Sequence, residues 1–121
     1  MKYLCLVYLE EKKLNALSKS EMDTLVADAL AYDGALRKSG HYVVSNALQS
    51  VQTATTLRPR NGRVSITDGP FAETKEQLAG FYLIEARDLN DAIQVAAKIP
   101  PAREGSIEVR PVRQLDPETW V

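Results

Sequence analysis

The sequence predicts an α+β fold, and three observations indicate it. Two segments place apolar residues at helical spacing, four others have the composition of strands, and an Asn61-Gly62 pair between two β-rich runs marks a hairpin. The predicted order is β-α-β, then the hairpin, then β-α-β, which is the split βαβ pattern of a ferredoxin-like sandwich with an inserted β-hairpin. A chain of 121 residues closes one core, so we expect a single domain over residues 1–121.

The first helix is predicted to begin near Lys19 and to end near Ser39. Ser18 and Glu21 have the spacing of a capping box, in which each side chain binds the other residue's exposed amide. Gly40 supplies a stop signal after the last turn. The helix carries an apolar stripe of Met22, Leu25, Val26, Ala29, Leu30 and Leu36.

The remaining elements follow from caps, prolines and strand composition. A second helix is predicted after the cap residue Asp88, and Pro100 and Pro101 prevent its continuation. Pro111 favours an edge position for the last strand, because proline cannot donate to a neighbouring strand. Strands are predicted at residues 3–9, 41–45, 80–86 and 106–112, and the hairpin arms at 52–58 and 63–67.

One face of the predicted sheet has no cover within the chain. Both helices should pack on the same face, because the split βαβ pattern places them there. Alternation along the strands then directs Leu4, Leu6, Phe81 and Leu83 to the other face. A large apolar surface is unfavourable in water, so we expect a homodimer that packs sheet against sheet.

Charge and composition exclude several classes of protein. Fifteen basic and sixteen acidic residues leave a net charge of −1, which does not favour nucleic acid as a partner, although Arg58, Arg60 and Arg63 cluster at the hairpin. One Cys and one His cannot form an intrachain disulfide or a zinc set, and a lone thiol suits the cytoplasm. No apolar run reaches the length of a membrane span and no phosphate-binding loop occurs, so we expect no membrane, metal or cofactor.

Asp33 is the most informative anomaly in the first helix. It falls near the centre of the apolar stripe, where a carboxylate is costly unless it is paired or lines a cleft. Two interpretations remain open. Asp33 lines a cleft and performs general acid or base catalysis, or the helix end extends past the sheet and leaves Asp33 solvated or bonded to a backbone amide.

His41 is the second candidate catalytic residue. It is the only imidazole in the chain, and imidazole is the side chain best suited to move protons near neutral pH. Because His41 follows the helix end closely, it is the natural partner for Asp33. The alternative is an exposed or capping histidine at the start of a strand.

A turn and the polar loop after it form a third candidate. The turn combines a capping carboxylate, a permissive glycine, a rigid ring and an aromatic, and the loop adds both signs of charge, which suits a polar small ligand. We expect a catalytic role for Asp68 and ligand contacts from Gly69, Pro70, Phe71, Thr74 and Lys75. The alternative is a structural turn in which Phe71 is a buried anchor.

The same turn carries a resemblance to a known family. The stretch from Thr67 to Tyr82, TDGPFAETKEQLAGFY, resembles the signature of DGPF-domain proteins, a mostly bacterial branch of the YCII-related family, and residues 54–57 and 109–112 also fit. The resemblance implies a dimeric ferredoxin-like α/β barrel with a cleft. Some YCII-related proteins use a His and Asp pair in that cleft, and one kind eliminates chloride from an aromatic ring. The family's His belongs in the first helix, which has none here.

Together these features predict a cytoplasmic homodimer that binds an unknown small molecule near Asp33, His41 and the Asp68 turn. The predicted chemistry is that of a lyase or another acid–base enzyme. The alternative is a non-catalytic regulatory or sensor module. It follows from the resemblance, because other DGPF-domain proteins are encoded beside sigma factors of the extracytoplasmic type.

Overall fold

A computed structural model describes residues 1–118, so the last three residues of the predicted domain, 119–121, lie outside the described part. The predicted helices and strands are all present, and a short first helix that was not predicted precedes the long one. The strands are β1 (Lys2–Leu9), β2 (Tyr42–Ala47), β3 (Thr55–Arg60), β4 (Arg63–Asp68), β5 (Gln77–Glu85) and β6 (Gly105–Pro111). The helices are α1 (Glu11–Asn15), α2 (Lys19–Ser39) and α3 (Leu89–Ala96), with 3-10 turns at Val51–Thr53 and Pro100–Glu104.

Four of the strands form the main sheet, in the order β2-β5-β1-β6 with antiparallel neighbours throughout. β5 therefore lies between β1 and β2, and β1 lies between β5 and β6, as a split βαβ pattern requires. Pro111 ends the edge strand β6, where a missing donor is tolerated. The predicted α+β class is confirmed, and the described strands form open antiparallel sheets with no closed barrel.

Both ends of α2 have the signals that the sequence predicts. The Ser18 hydroxyl accepts from the Glu21 amide at 3.1 Å, and the Glu21 carboxylate accepts from the Ser18 amide at 2.9 Å. This reciprocal capping box satisfies two amides that a helix otherwise leaves exposed. At the other end Gly40 adopts a left-handed conformation with φ of 82°, which lets the His41 amide donate to the Leu36 carbonyl at 3.0 Å.

The hydrophobic core lies between the main sheet and the helices. Alternate residues of β1 are buried there, and α2 and α3 add buried residues from above. Cys5 is completely buried in this core, and burial raises the pKa of its thiol to about 11, as expected for a small core hydrophobe. The core consists of Tyr3, Cys5, Val7, Leu9, Leu36, Tyr82, Ile84, Ala86, Ala92, Val95, Ala96 and Ile99.

The opposite face of the main sheet is apolar at its centre. Leu4 lies directly across from Leu83, and Leu6 from Phe81, so the four side chains form one patch. All of them are half-buried, while the residues that alternate with them in β1 point into the core. The three helices of the described range all contribute to the core side. The predicted uncovered apolar face is therefore present in the single chain.

β3 and β4 form a separate two-stranded hairpin. Asn61 and Gly62 connect them with φ values of 51° and 76°, the left-handed pair that the Asn-Gly turn predicts. Leu57 lies across from Ile66, and every residue of β4 is exposed. The hairpin therefore extends away from the core with an apolar strip in contact with solvent.

Candidate functional site

A cleft of about 410 Å³ separates α2 from the main sheet at the β2 and β5 edge. Its helical wall is apolar and includes Met22, Leu25, Val26 and Leu30. The sheet side includes several small residues, Ser45, Ala47, Ala79 and Gly80, beside larger ones such as Leu9 and Tyr82, and the small residues leave space beneath the helix.

The cleft exists because α2 packs closely only near its C-terminal end. Leu36 is the one fully buried residue of this helix, and the Tyr32 hydroxyl anchors the same region by donating to the Val95 carbonyl. Towards the N-terminus the apolar stripe stands away from the sheet, so Val26 remains 49% exposed and Leu30 65% exposed. Apolar side chains of the predicted stripe therefore form a wall of the cleft.

Asp33 lies in this cleft, between its apolar walls and the packed end of α2. The Tyr82 hydroxyl donates to Asp33 Oδ1 at 2.7 Å, and the Ser45 hydroxyl donates to Oδ2 at 3.4 Å. The Tyr42 hydroxyl accepts from the Ser45 amide at 3.1 Å and lies 2.9 Å from Ser45 Oγ. The Ser45 hydroxyl donates its one proton to Asp33, so the Ser45 oxygen accepts a hydrogen bond from the Tyr42 hydroxyl. The hydrogen bonds therefore run from Tyr42 through Ser45 to the Asp33 carboxylate.

The phenol of Tyr82 is held in its protonated form. Burial raises the pKa of Tyr82 well above its ordinary value, and the hydrogen bond to the Asp33 carboxylate raises it further. Tyr82 therefore acts as a hydrogen-bond donor at neutral pH, and the Asp33 carboxylate is the hydrogen-bond acceptor of the pair. The main chemical property of the cleft is therefore a carboxylate held next to a protonated phenol.

His41 lies directly before β2 and faces α3 rather than the cleft. Its Nε2 is 3.1 Å and 3.2 Å from the two oxygens of Asp91, and its Nδ1 is 2.7 Å from Ser39 Oγ. Asp91 also accepts from the Arg87 amide at 3.0 Å, and this bond together with the His41 contact lowers the pKa of Asp91 to about 2. The predicted partners Asp33 and His41 thus have separate hydrogen-bond partners in the single chain.

The Asp68 turn is tied to the hairpin. Gly69 has φ of 112°, a conformation that favours glycine, and its amide donates to the Ala54 carbonyl at 2.8 Å. The Thr56 hydroxyl donates to the Gly69 carbonyl at 2.8 Å, so both backbone groups of this glycine bind the start of β3. Pro70 is half-buried beside it.

The alternative in which Phe71 is a buried anchor is wrong. Its side chain is 81% exposed and has the Arg58 guanidinium 5.9 Å from the ring centroid. The turn projects Phe71 beside the polar face of the hairpin, away from the hydrophobic core. In the following loop the Thr74 hydroxyl donates to the Glu76 carbonyl at 2.6 Å, and Lys75 is exposed. No residue from 68 to 75 is among the described residues that line the cleft.

Comparison with known proteins identifies the family. The profile of the YCII-related domain matches residues 1–116, nearly the whole chain. The chain belongs to the YCII-related family. An uncharacterized protein of Rhizobium meliloti (strain 1021) is 38% identical over 119 residues, which cover 97% of this chain and 96% of the relative. The resemblance predicted from the turn at Asp68 is confirmed at the level of this family.

In this YCII-related chain the residues around Asp33 were not predicted from the sequence. Tyr82 and Ser45 are separated from Asp33 by 49 and 12 residues, and neither breaks the pattern of its strand. The sequence did contain one signal: Tyr82 falls on the core face of its strand, and a buried phenol needs a polar partner.

Two further features of the YCII-related domain concern metals and membranes. Within residues 1–118, no group of three or more His, Cys, Asp or Glu side chains is arranged to hold a metal ion. No helix in the same range combines the length and apolar character needed to cross a membrane.

Proposed function

We propose that this YCII-related protein binds a small molecule in the cleft beside Asp33 and performs acid–base chemistry on it, as a lyase or a related enzyme. The observation that carries the proposal is the position of Asp33, whose carboxylate lies in a largely apolar cleft and accepts hydrogen bonds from Tyr82 and Ser45. An apolar cleft with a few converging polar groups is the usual form of a small-molecule site.

Asp33 is the proposed base. A carboxylate has about four acceptor positions, and the two hydroxyl hydrogen bonds leave others for a proton of the bound molecule. In an elimination, Asp33 takes the proton from carbon, the electron pair of the C–H bond forms the new double bond, and the leaving group departs with its bonding pair. Tyr82 keeps the carboxylate oriented because its O–H group remains protonated.

A homodimer is part of the proposal. It is supported by the apolar patch of Leu4, Leu6, Phe81 and Leu83, which the helices of the same chain do not cover. Packing two such patches together joins two open sheets into the ferredoxin-like α/β barrel that the family resemblance implies. His41 and the Asp68 turn lie outside the cleft of one chain, so a catalytic role for them requires a partner subunit to bring them to it.

A second candidate function is a non-catalytic binding or regulatory module in the cytoplasm. The position of His41 favours it, because the only imidazole of the chain pairs with Asp91 and leaves the cleft without one. The exposed apolar strip of the hairpin supplies a surface for a protein partner. A sigma factor of the extracytoplasmic type is the partner that the resemblance proposes.

A fragment screen followed by a turnover assay separates the two functions. Fragments that raise the melting temperature are incubated with the wild type, with Asp33→Asn and with the control Asp23→Asn, whose exposed carboxylate belongs to the same helix. We expect hits that proton NMR shows to be converted by the wild type and the control but not by Asp33→Asn. Fragments that bind in the cleft and are never converted favour the regulatory module, and conversion by Asp33→Asn overturns the role of Asp33.

A further inference from the structure

We infer that the cleft selects an amphipathic ligand whose head group donates hydrogen bonds and carries no negative charge, and that it rejects carboxylates with the same apolar body. The inference rests on the proposed function, because it describes the ligand of the same cleft. It goes further by naming the chemical class, and the class follows from the charges and polar groups that line the cleft.

Asp33 sets the charge of the cleft. Among the lining residues within 1–118 it is the only ionisable acid or base apart from the phenol of Tyr82, and neither lysine, arginine nor histidine is present. The hydroxyls that reach Asp33 are neutral donors, so they orient the carboxylate without cancelling its charge. A second carboxylate placed beside it would be repelled in a region of low dielectric constant.

The basic groups near the cleft are engaged elsewhere. The Arg37 guanidinium lies over the Tyr42 ring, 4.3 Å from its centroid, and is not among the lining residues. His41 binds Asp91, so its imidazole faces α3. An anionic head group would therefore lose its water and meet no cation among the described lining residues, whereas an ammonium or hydroxyl group gains Asp33 as an acceptor.

The rest of the cleft suits an apolar body. Val26 and Leu30 project from the helical wall with large exposed fractions, and Ala47, Ala79 and Gly80 line the opposite side. A bound alkyl or aryl group would cover these side chains and remove apolar surface from water. The ligand is thus expected to insert its head group towards Asp33 and to place its body along α2.

Three probes with the same six-carbon body test the inference: n-hexylamine, 1-hexanol and hexanoate. Each is titrated into the wild type, and amide chemical shifts of the cleft residues Ser45, Ala47 and Gly80 report binding. We expect n-hexylamine and 1-hexanol to bind and hexanoate to bind at least about tenfold more weakly than the amine. In Asp33→Asn the hexanoate dissociation constant divided by the hexylamine dissociation constant should fall by about tenfold, because the negative charge is gone. Asp23→Asn should keep the wild-type ratio.

A second variant tests the charge without touching Asp33. Leu30 lines the cleft and is 65% exposed, so Leu30→Arg adds a cation at a position that tolerates it. This variant should improve hexanoate binding relative to hexylamine. Equal affinity of the wild type for hexanoate and hexylamine overturns the head-group inference while leaving the binding cleft in place. The absence of cleft shifts with all three probes overturns both the inference and the proposed function.

Discussion

Asp33 and Tyr82 form the interaction on which the site depends. Tyr82 is 7% exposed, so its hydroxyl has little access to water and relies on the carboxylate as its acceptor. Asp33 in turn lies in a largely apolar cleft, so the hydroxyls of Tyr82 and Ser45 provide the polar contacts that stabilise its carboxylate. The pair therefore contributes to stability as well as to the chemistry of the cleft.

A double-mutant cycle measures this pair. Asp33→Asn and Tyr82→Phe should each lower the free energy of unfolding by about 1 kcal/mol, because each weakens or removes one largely buried hydrogen bond. The double variant should cost less than the sum of the two, with a coupling of about 1 kcal/mol from urea denaturation. Tyr8→Phe, at a half-buried tyrosine of β1, is the control and should be additive with Asp33→Asn. Additivity of the Asp33 and Tyr82 changes would contradict the interaction.

At the scale of single residues, the sequence identified Asp33 because it interrupts an apolar stripe. Local sequence patterns could not identify Tyr82 or Ser45, because each fits its own strand and meets Asp33 only after the helix is placed on the sheet. His41 shows the same limit, because Asp91 lies 50 residues away in the sequence and outside the range of local spacing. Asp33 lines the cleft, as one interpretation expected, and its bonds to the Tyr82 and Ser45 hydroxyls replace the backbone-amide bond of the other. Its catalytic role stays a prediction.

Among the elements, α2 and α3 are attached to the sheet in different ways. α3 has a buried apolar face and a cap in which the Asp88 carboxylate accepts from the Asp91 amide at 2.8 Å. Asp91 then joins α3 to the start of β2 through His41. α2 is packed only at one end, and this difference creates the cleft. The sequence predicted both helices and their caps, but the closeness of packing depends on the size of the residues on the facing sheet.

The hydrogen bond from the Arg87 amide to Asp91, together with the His41 contact, should make stability depend on pH in the acid range. The pKa of Asp91 is lowered from 3.8 to about 2 in the folded protein, so its ionised form favours folding above pH 3.8 and this contribution is lost as pH falls towards 2. The melting temperature of the wild type should therefore exceed that of Asp91→Asn at neutral pH, with the difference shrinking below about pH 4. A difference that stays constant down to pH 2 would show that the charge of Asp91 is not responsible.

Substitution of two glycines by alanine should change the stability of the protein in opposite directions. A Cβ on Gly105 would overlap the Tyr8 carbonyl oxygen and lie 2.8 Å from the Leu9 side chain, so Gly105→Ala should separate β6 from β1 and cost about 2 kcal/mol or more. Gly34 lies inside α2, and a Cβ there meets nothing within 4 Å. Gly34→Ala should therefore raise stability by roughly 0.5–1 kcal/mol. Chemical denaturation of both variants checks the signs, and a neutral Gly105→Ala would contradict the close approach.

For the whole molecule, the apolar sheet face and the exposed hairpin are the features that one chain leaves in contact with water. The alternation of β1 and β5 was enough to predict the sheet face, because strand periodicity decides which side chains share a face. The exposure of the hairpin could not be predicted in the same way. Its strands alternate normally, and only its separation from the main sheet shows that no core covers it.

The proposed dimer is tested by the mass of the protein in solution. Sedimentation at micromolar concentration should give twice the chain mass. The interface of the proposed dimer should bury more than about 1,000 Å². Leu83→Lys places a charge in the centre of the sheet patch and should shift the protein towards monomer, because an unpaired charge is costly in an apolar interface. Leu115→Lys, at a side chain that is 82% exposed, is the control and should leave the mass unchanged. A monomeric wild type would contradict the proposed assembly.

A crystal structure of the protein soaked with the fragment that most raises its melting temperature tests the central claim, that the cleft beside Asp33 is the functional site. The account predicts the fragment between α2 and the β2 and β5 edge, with a hydrogen bond to the Asp33 carboxylate and its apolar part against Val26 and Leu30. The same soak of Asp33→Asn should show reduced occupancy. A fragment bound at the hairpin or the Asp68 turn, with the cleft empty in both proteins, would contradict it.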